Sequence, residues 1–411
     1  MIEHIASSYI GLLLLALVVA VITEKIWKVP YTIALVLVGL AVGLLGVGPH
    51  PEELGLSHDL VFFVLLPPLL FQGALHMELN TLLKHIWPIF FFSILGVLVS
   101  TAVIGGLLYL VGGMGSLLVA LLLGALLSPT DPVSVLALFK KAGVSADLRH
   151  LVEGESLFND GTAVVVFVIL LDLVMQGGDV TVGAALIEFF KVAGGGLALG
   201  VGLGYIAWLF LRKVEAAMIE TTACLTLALG SFWVAEQLHL SGVIATVASG
   251  LLIGNFGKHL SMSRATTVVV ENFFEVLDFL INSVLFILIG LEIQVVESGA
   301  TLQHVQLVGA GILALLVARA AVVYPLYHSL NLVGTVRPRS WAHVLFWGGL
   351  RGSIPIALLL GLPRDGAIAP YRDALLIAGF GVVLFSLVVQ GLTVNPLLGW
   401  LGLKRGQGEA S

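Results

Sequence analysis

Long apolar stretches alternate along this chain with short polar or glycine/proline breaks. Runs such as Ile10 to Ile22, Ile86 to Val111 and Ile377 to Leu392 reach or approach the roughly 20 apolar residues that cross a hydrocarbon layer of about 30 Å. Division at the breaks predicts an all-α, polytopic membrane protein of about thirteen transmembrane helices, near 6–23, 30–47, 59–76, 86–111, 116–140, 150–175, 183–211, 219–236, 241–255, 267–293, 304–328, 340–361 and 373–402. The first run lacks the basic flank and small-residue cleavage site of a signal peptide, so it is expected to stay as a helix. Composition agrees with a membrane protein. Of 411 residues 59% are hydrophobic, only 11% are charged and 48 are glycine, more apolar surface than a water-soluble core could hide. No soluble domain is expected at either end, and the single cysteine, Cys224, excludes an intramolecular disulfide.

Charge placement supplies an orientation. Alternate connections carry Lys25 and Lys28, then Lys84, then Lys140, Lys141 and Arg149, then Arg212 and Lys213, then Lys258 and Arg264, then Arg337 and Arg339, and the tail adds Lys404 and Arg405. The other side holds only Arg364 and Arg372. Short cytoplasmic loops collect lysine and arginine, so the N-terminus is expected outside and the C-terminus in the cytoplasm of a cell membrane. Lys191, Arg319 and Arg351 fall within spans, where an ionisable group is costly and needs a partner or a task.

Two spans are interrupted at mid-depth. The fifth carries Ser128-Pro129-Thr130-Asp131-Pro132, whose prolines remove backbone donors and disfavour helix at the residues before them. The twelfth carries Gly348-Gly349-Leu350-Arg351-Gly352-Ser353-Ile354-Pro355. Taken as two inverted six-helix repeats, spans 1–6 and 8–13 place these breaks at the same ordinal position, the pattern of a transporter whose unwound helices cross at a midplane substrate site. Opposed half-helix ends carry partial charges that need compensation. Asp131 suits exposed N-terminal ends; Arg351 could serve the C-terminal ends or pair with a carboxylate. Backbone oxygens freed near Thr130 are hard ligands for a small cation.

The sixth span carries Glu155-Ser156-Leu157-Phe158-Asn159-Asp160. Helical spacing sets Ser156 and Asp160 on one face and Glu155 and Asn159 on a neighbouring stripe. At about 1.5 Å per residue, Asp160 lies roughly 15 Å from the cytoplasmic end, with Asp131, Arg319 and Arg351 at similar depth. A lone carboxylate there is neutralised either by a proton or by a bound cation, so the two compete for one group. With Ser156 and an unwound carbonyl near Thr130, Asp160 makes a hard-ion site. Glu155 is expected to pair with Arg319, with Arg351 as second choice, and to act as a strut. Asn159 is expected to hydrogen-bond the loosened backbone at Thr130.

These motifs, with Ala318-Arg319 in the eleventh span, resemble the NhaP-type monovalent cation–proton antiporters, which include the animal sodium/proton exchangers. The resemblance implies a homodimer in which a core of spans 4–6 and 11–13 (about 86–175 and 304–402) moves against a dimerisation part of spans 1–3 and 8–10 (about 6–76 and 219–293), with 183–211 as a linker helix. It implies that Asp160 carries ion and proton in turn, that Ser156 and Thr130 help bind the ion, and that Asn159 marks electroneutral one-for-one exchange. Na+ is the expected cation, with Li+ also accepted, and K+ is the alternative; no cofactor, no nucleic acid and no enzymatic reaction are expected. Gln72, after Leu65-Leu66-Pro67-Pro68, stands where relatives commonly carry an acidic residue.

Other constellations weigh less. An aspartic protease built on Asp131 and Asp160 would need the carboxylates to share a proton, and the Gly-x-Gly-Asp signature is absent. A channel would usually draw rings of ligands from several subunits. The glycines at 194, 195, 196, 200, 202 and 204 indicate close helix packing rather than a nucleotide loop. His76 and His85 read as solvated loop residues, Glu188 and Lys191 as a mutually satisfied pair, and Glu275, Asp278 and Asn282 as either a funnel lining or a dimer contact.

Overall fold

The computed structural model of the chain describes residues 2–26, 29–46, 60–177, 182–291, 302–332 and 338–403. Lys28, Arg337, Lys404 and Arg405, used above for orientation, lie outside the described residues. Helices and their connections account for the described chain, with no strand among them. Among the described residues, eight helices are long and apolar enough to cross a membrane: Ser7–Lys25, Ile86–Leu110, Ala146–Gln176, Leu186–Leu211, Ala217–Gln237, Arg264–Leu291, Leu302–Asn331 and Gly366–Trp400. Tyr31–Leu44, Val61–His76 and Gly242–Gly257 are shorter apolar helices. Two spans are split, the fifth into Leu117–Leu126 and Val133–Ala142 and the twelfth into Ser340–Trp347 and Ser353–Leu360. Thirteen spans result among the described residues, and each six-span unit carries its break in its fifth member.

Local chemistry explains where the helices stop. Ser116 opens the fifth span by accepting from the Val119 amide, and Ser241 opens the ninth by accepting from the Ile244 amide. Gly143 and Gly177, with φ of 68° and 63°, close Val133–Ala142 and Ala146–Gln176 in the left-handed conformation that glycine adopts without penalty. Between Leu127 and Val133, two prolines leave the chain no helical hydrogen bonds to continue with.

The fourth span packs on the first half of the fifth and on the eleventh, the sixth on the fifth, and the eleventh and twelfth on the thirteenth. A second group forms where the second span packs on the tenth, the third on the ninth and tenth, and the eighth on the ninth and tenth. The seventh span lies mainly along the eighth and ninth. Its glycines make that approach close: a β-carbon at Gly196 would sit 2.6 Å from the Ser241 carbonyl oxygen, and one at Gly200 would sit 2.7 Å from the Ala245 α-carbon. Backbone-to-backbone contact of this kind replaces the hydrophobic drive that lipid removes between membrane helices. Glu188 and Lys191 of the same span do pair, at 3.2 Å on an exposed face.

Candidate ion-binding site

The two breaks meet. The Asp131 amide donates to the Leu350 carbonyl at 2.7 Å, joining the unwound residues of the fifth and twelfth spans. Arg351 is fully enclosed, 1% exposed, and its Nη1 donates to the carbonyl oxygens of Ser128 and Pro129 at 2.9 and 3.0 Å. Those carbonyls follow the end of Leu117–Leu126, where helix partners are missing and the dipole end is negative, so the guanidinium answers both needs at once. Asp131 answers the opposite polarity. Gly352, directly before Ser353–Leu360, packs its α-carbon on the Asp131 side chain, where a β-carbon would overlap the carboxylate. A residue larger than glycine would push Asp131 away from that helix N-terminus.

The sixth span reaches this crossing from one side. Asn159 brackets Thr130 with both ends of its amide: Nδ2 donates to Thr130 Oγ1 at 2.7 Å, and Oδ1 accepts from the Thr130 amide at 3.3 Å. Ser156 Oγ lies 3.0 Å from Thr130 Oγ1. All three residues are buried. Ser128, two residues earlier in the break, is anchored separately: its Oγ donates to the Gly124 carbonyl at 2.7 Å and lies 3.2 Å from Thr101 Oγ1.

Asp160 differs from these neighbours. It lies one turn beyond Ser156 on the same face and is half-buried, and none of the described residues hydrogen-bonds or ion-pairs with its carboxylate. Asp131 and Arg351 are the charges whose fields reach it. The result is a carboxylate one turn from the Ser156–Thr130 hydroxyl pair, and carboxylate with hydroxyl oxygens is a donor set that suits a hard cation and its remaining waters. Among the described residues no group of three or more His, Cys, Asp or Glu gathers as a transition-metal site.

Glu155 points away from this cluster. Its Oε1 accepts from Arg319 Nη1 at 2.5 Å, and Arg319 Nε and Nη2 both donate to the Leu345 carbonyl at 3.1 and 2.8 Å. The arginine therefore ties the sixth span to the end of Ser340–Trp347, with Gly349 packed on its guanidinium.

On the facing helix group, Asn282 Nδ2 donates to Asp278 Oδ1 at 2.9 Å, and the field of Asp131 reaches Asp278. Glu275 lies 3.9 Å from His76 Nε2. Along this stripe of the tenth span Asn282 is buried, whereas the Glu275 side chain is 61% exposed. His85 departs from the sequence reading: it is buried, 6% exposed, with Nε2 3.6 Å from Asp147 Oδ1, because the short helix Leu79–Lys84 folds it against the start of the sixth span.

Two polar residues of the thirteenth span were not singled out from sequence. Ser386 and Gln390, both buried, lie within a wide π turn; Ser386 Oγ accepts from the Arg351 amide at 3.0 Å and donates to Gln390 Oε1 at 2.7 Å, while Gln390 Nε2 donates to the Trp347 carbonyl at 3.4 Å. Their signal in the sequence was a serine and a glutamine four apart within the apolar run 377–392.

Comparison with known proteins agrees with this architecture. Residues 12–400 match the family described as sodium/hydrogen exchanger, transmembrane. The chain is 42% identical over 340 residues to the Na(+)/H(+) antiporter NhaP of Pseudomonas aeruginosa, covering 81% of this chain and 79% of that protein. It is 39% identical over 380 residues to the Na(+)/H(+) antiporter ApNhaP of Aphanothece halophytica, covering 92% and 70%. It is 38% identical over 404 residues to the Na(+)/H(+) antiporter NhaH of Halobacillus dabanensis, covering 95% and 97%. The solved structure of the sodium proton antiporter MjNhaP1 from Methanocaldococcus jannaschii at pH 8 superposes with a TM-score of 0.80 at 21% identity, covering 98% of this chain and 99% of that one, which shows a shared fold. With a family match spanning nearly every helix and the same fold in a solved antiporter, the chain belongs to the sodium/hydrogen exchanger family.

Proposed function

We propose that this protein exchanges Na+, and also Li+, for H+ across a cell membrane, one for one and without net charge movement, by alternating access. The observation that carries the reading is Asp160: a half-buried carboxylate with which none of the described residues hydrogen-bonds or ion-pairs, one helical turn from Ser156, whose hydroxyl meets that of Thr130. With the cation bound, Asp160 is ionised and Ser156, Thr130 and water complete the shell; with the cation gone, a proton neutralises the same oxygen atoms. Each state of the carrier is then neutral at that position, and Asn159 beside it adds no second charge. Asp131, Arg351, Asn159 and the Glu155–Arg319 pair hold the crossing in shape rather than bind the ion.

In this reading the residues about 86–175 and 304–402 move as a core against a dimerisation part formed by about 6–76 and 219–293, joined by the helix at 183–211, and two copies assemble in the bilayer. The N-terminus faces outward and the C-terminus lies in the cytoplasm, as the basic connections indicate.

Reconstitution in liposomes tests the reading. Luminal pH is recorded after pulses of Na+, Li+ or K+ under voltage clamp, with Asp160→Asn in parallel. Na+-driven proton movement that ignores voltage and vanishes in the variant supports it. A response to K+ alone would make this a K+/H+ antiporter, and voltage-driven cation flux without proton coupling would make it a channel.

A further inference from the structure

The peptide between Leu350 and Arg351 is hydrogen-bonded on both of its sides. Its carbonyl accepts from the Asp131 amide at 2.7 Å, and its N–H donates to Ser386 Oγ at 3.0 Å. A trans peptide is planar and points its N–H and C=O in opposite directions, so two partners on opposite sides fix its rotation. The Asp131 amide belongs in turn to the peptide whose carbonyl is that of Thr130. Aiming that N–H at Leu350 aims the Thr130 carbonyl the other way. Ser386, Leu350–Arg351 and Thr130–Asp131 thus form one relay of two peptide planes running from the thirteenth span to the candidate ion-binding site.

The hydroxyl at the head of the relay is itself oriented. Ser386 Oγ donates its one proton to Gln390 Oε1 at 2.7 Å, which leaves its lone pairs for the Arg351 N–H. Gln390, 2% exposed, is placed by its hydrogen bond to the carbonyl of Trp347, the last residue of the helix before the break in the twelfth span. Both residues sit where a wide π turn brings positions four apart to the same buried edge. The thirteenth span therefore does for the twelfth what the sixth does for the fifth: a hydroxyl and an amide, Ser386 with Gln390 and Ser156 with Asn159, reach into the unwound segment of the preceding span.

From this we infer that Ser386, oriented by Gln390, is a positioning residue for cation binding: it aims the Thr130 carbonyl, through the Leu350–Arg351 peptide, at the place a cation occupies beside Asp160. The inference rests on the antiport reading and concerns affinity, since Ser386 and Gln390 act on the ion only through the Thr130 carbonyl.

The test compares wild type, Ser386→Ala, Ser386→Thr and Gln390→Leu in liposomes. It reads the KM for Na+ in Na+-driven proton movement at one pH, the maximal rate per folded protein, and the melting temperature in detergent. Losing one aimed ligand is expected to raise the KM for Na+ roughly fivefold in Ser386→Ala, with the maximal rate within about twofold of wild type. Ser386→Thr, which keeps the hydroxyl, restores the wild-type KM, and Gln390→Leu raises it by a smaller factor. Equilibrium binding of radioactive Na+ to the same proteins in detergent shows the same order of affinities. A KM and binding affinity in Ser386→Ala equal to wild type overturns the inference. So does a lower maximal rate and melting temperature at unchanged KM, which would make Ser386 a packing residue only. A wild type that binds Na+ but moves no protons removes the antiport reading and leaves the binding comparison to decide on Ser386.

Discussion

Arg319 and Glu155 meet at 2.5 Å inside the protein, 7% and 1% exposed, on spans separated by 164 positions in the sequence. Removing one member of such a pair strands the other charge away from water, which costs about 3–5 kcal/mol. Arg319→Ala is therefore expected to lower the melting temperature sharply and to reduce the yield of folded protein. Replacing both by leucine recovers part of the loss, because no charge is then stranded, although the Leu345 carbonyl still lacks its donors. Thermal unfolding of the single and double variants in detergent checks the order.

Asp160 should behave in the opposite way. None of the described residues hydrogen-bonds or ion-pairs with its carboxylate, so Asp160→Asn is expected to abolish cation–proton exchange while shifting stability by less than about 1 kcal/mol. Transport and melting temperature measured on one preparation separate the two effects. A variant that unfolds would show that Asp160 is part of the scaffold.

A carboxylate that must lose its proton to take a cation binds that cation more weakly as pH falls. With one shared group, the apparent KM for Na+ rises about tenfold for each pH unit below the point where the free site is half-protonated, and is flat above it. The maximal rate at saturating Na+ on the same side stays level across that range if competition alone governs it. Initial rates over a grid of pH and Na+ concentration give both quantities, and a KM independent of pH throughout would exclude one shared site.

The seventh and ninth spans offer a test of packing away from the ion site. A β-carbon at Gly200 would lie 2.7 Å from the Ala245 α-carbon, so Gly200→Val must separate the two helices and is expected to cost about 1–3 kcal/mol. Gly202, with open space around its α-carbon, is the control: Gly202→Ala should leave the melting temperature nearly unchanged.

The thirteen helical spans are legible in the order of apolar and polar residues, because a hydrocarbon layer constrains both the length and the apolar character of a crossing. The two breaks at Ser128–Pro132 and Gly348–Pro355 are legible as well, because each gathers proline or glycine beside a charge at the same ordinal place in the two six-span units, whereas Pro325 and the glycines at 194–196 lie within continuous helices. Counting residues along the helices puts Asp131, Asp160, Arg319 and Arg351 at similar expected depth. Which of these groups meet depends on how the helices pack. Glu155 had two candidate arginines at similar depth, and the rotation of each helix about its axis turned Arg319 to it and Arg351 to the carbonyls of Ser128 and Pro129. His85, read as a loop residue, is covered because a short helix folds back over the sixth span. Ser386 and Gln390 gave no more signal than two polar residues in an apolar run; their place beside Arg351 depends on a π turn and on the packing of the thirteenth span against the break of the twelfth. Depth is a one-dimensional quantity that hydropathy and counting can supply, whereas pairing depends on the angular placement of helices far apart in sequence, which only their packing sets.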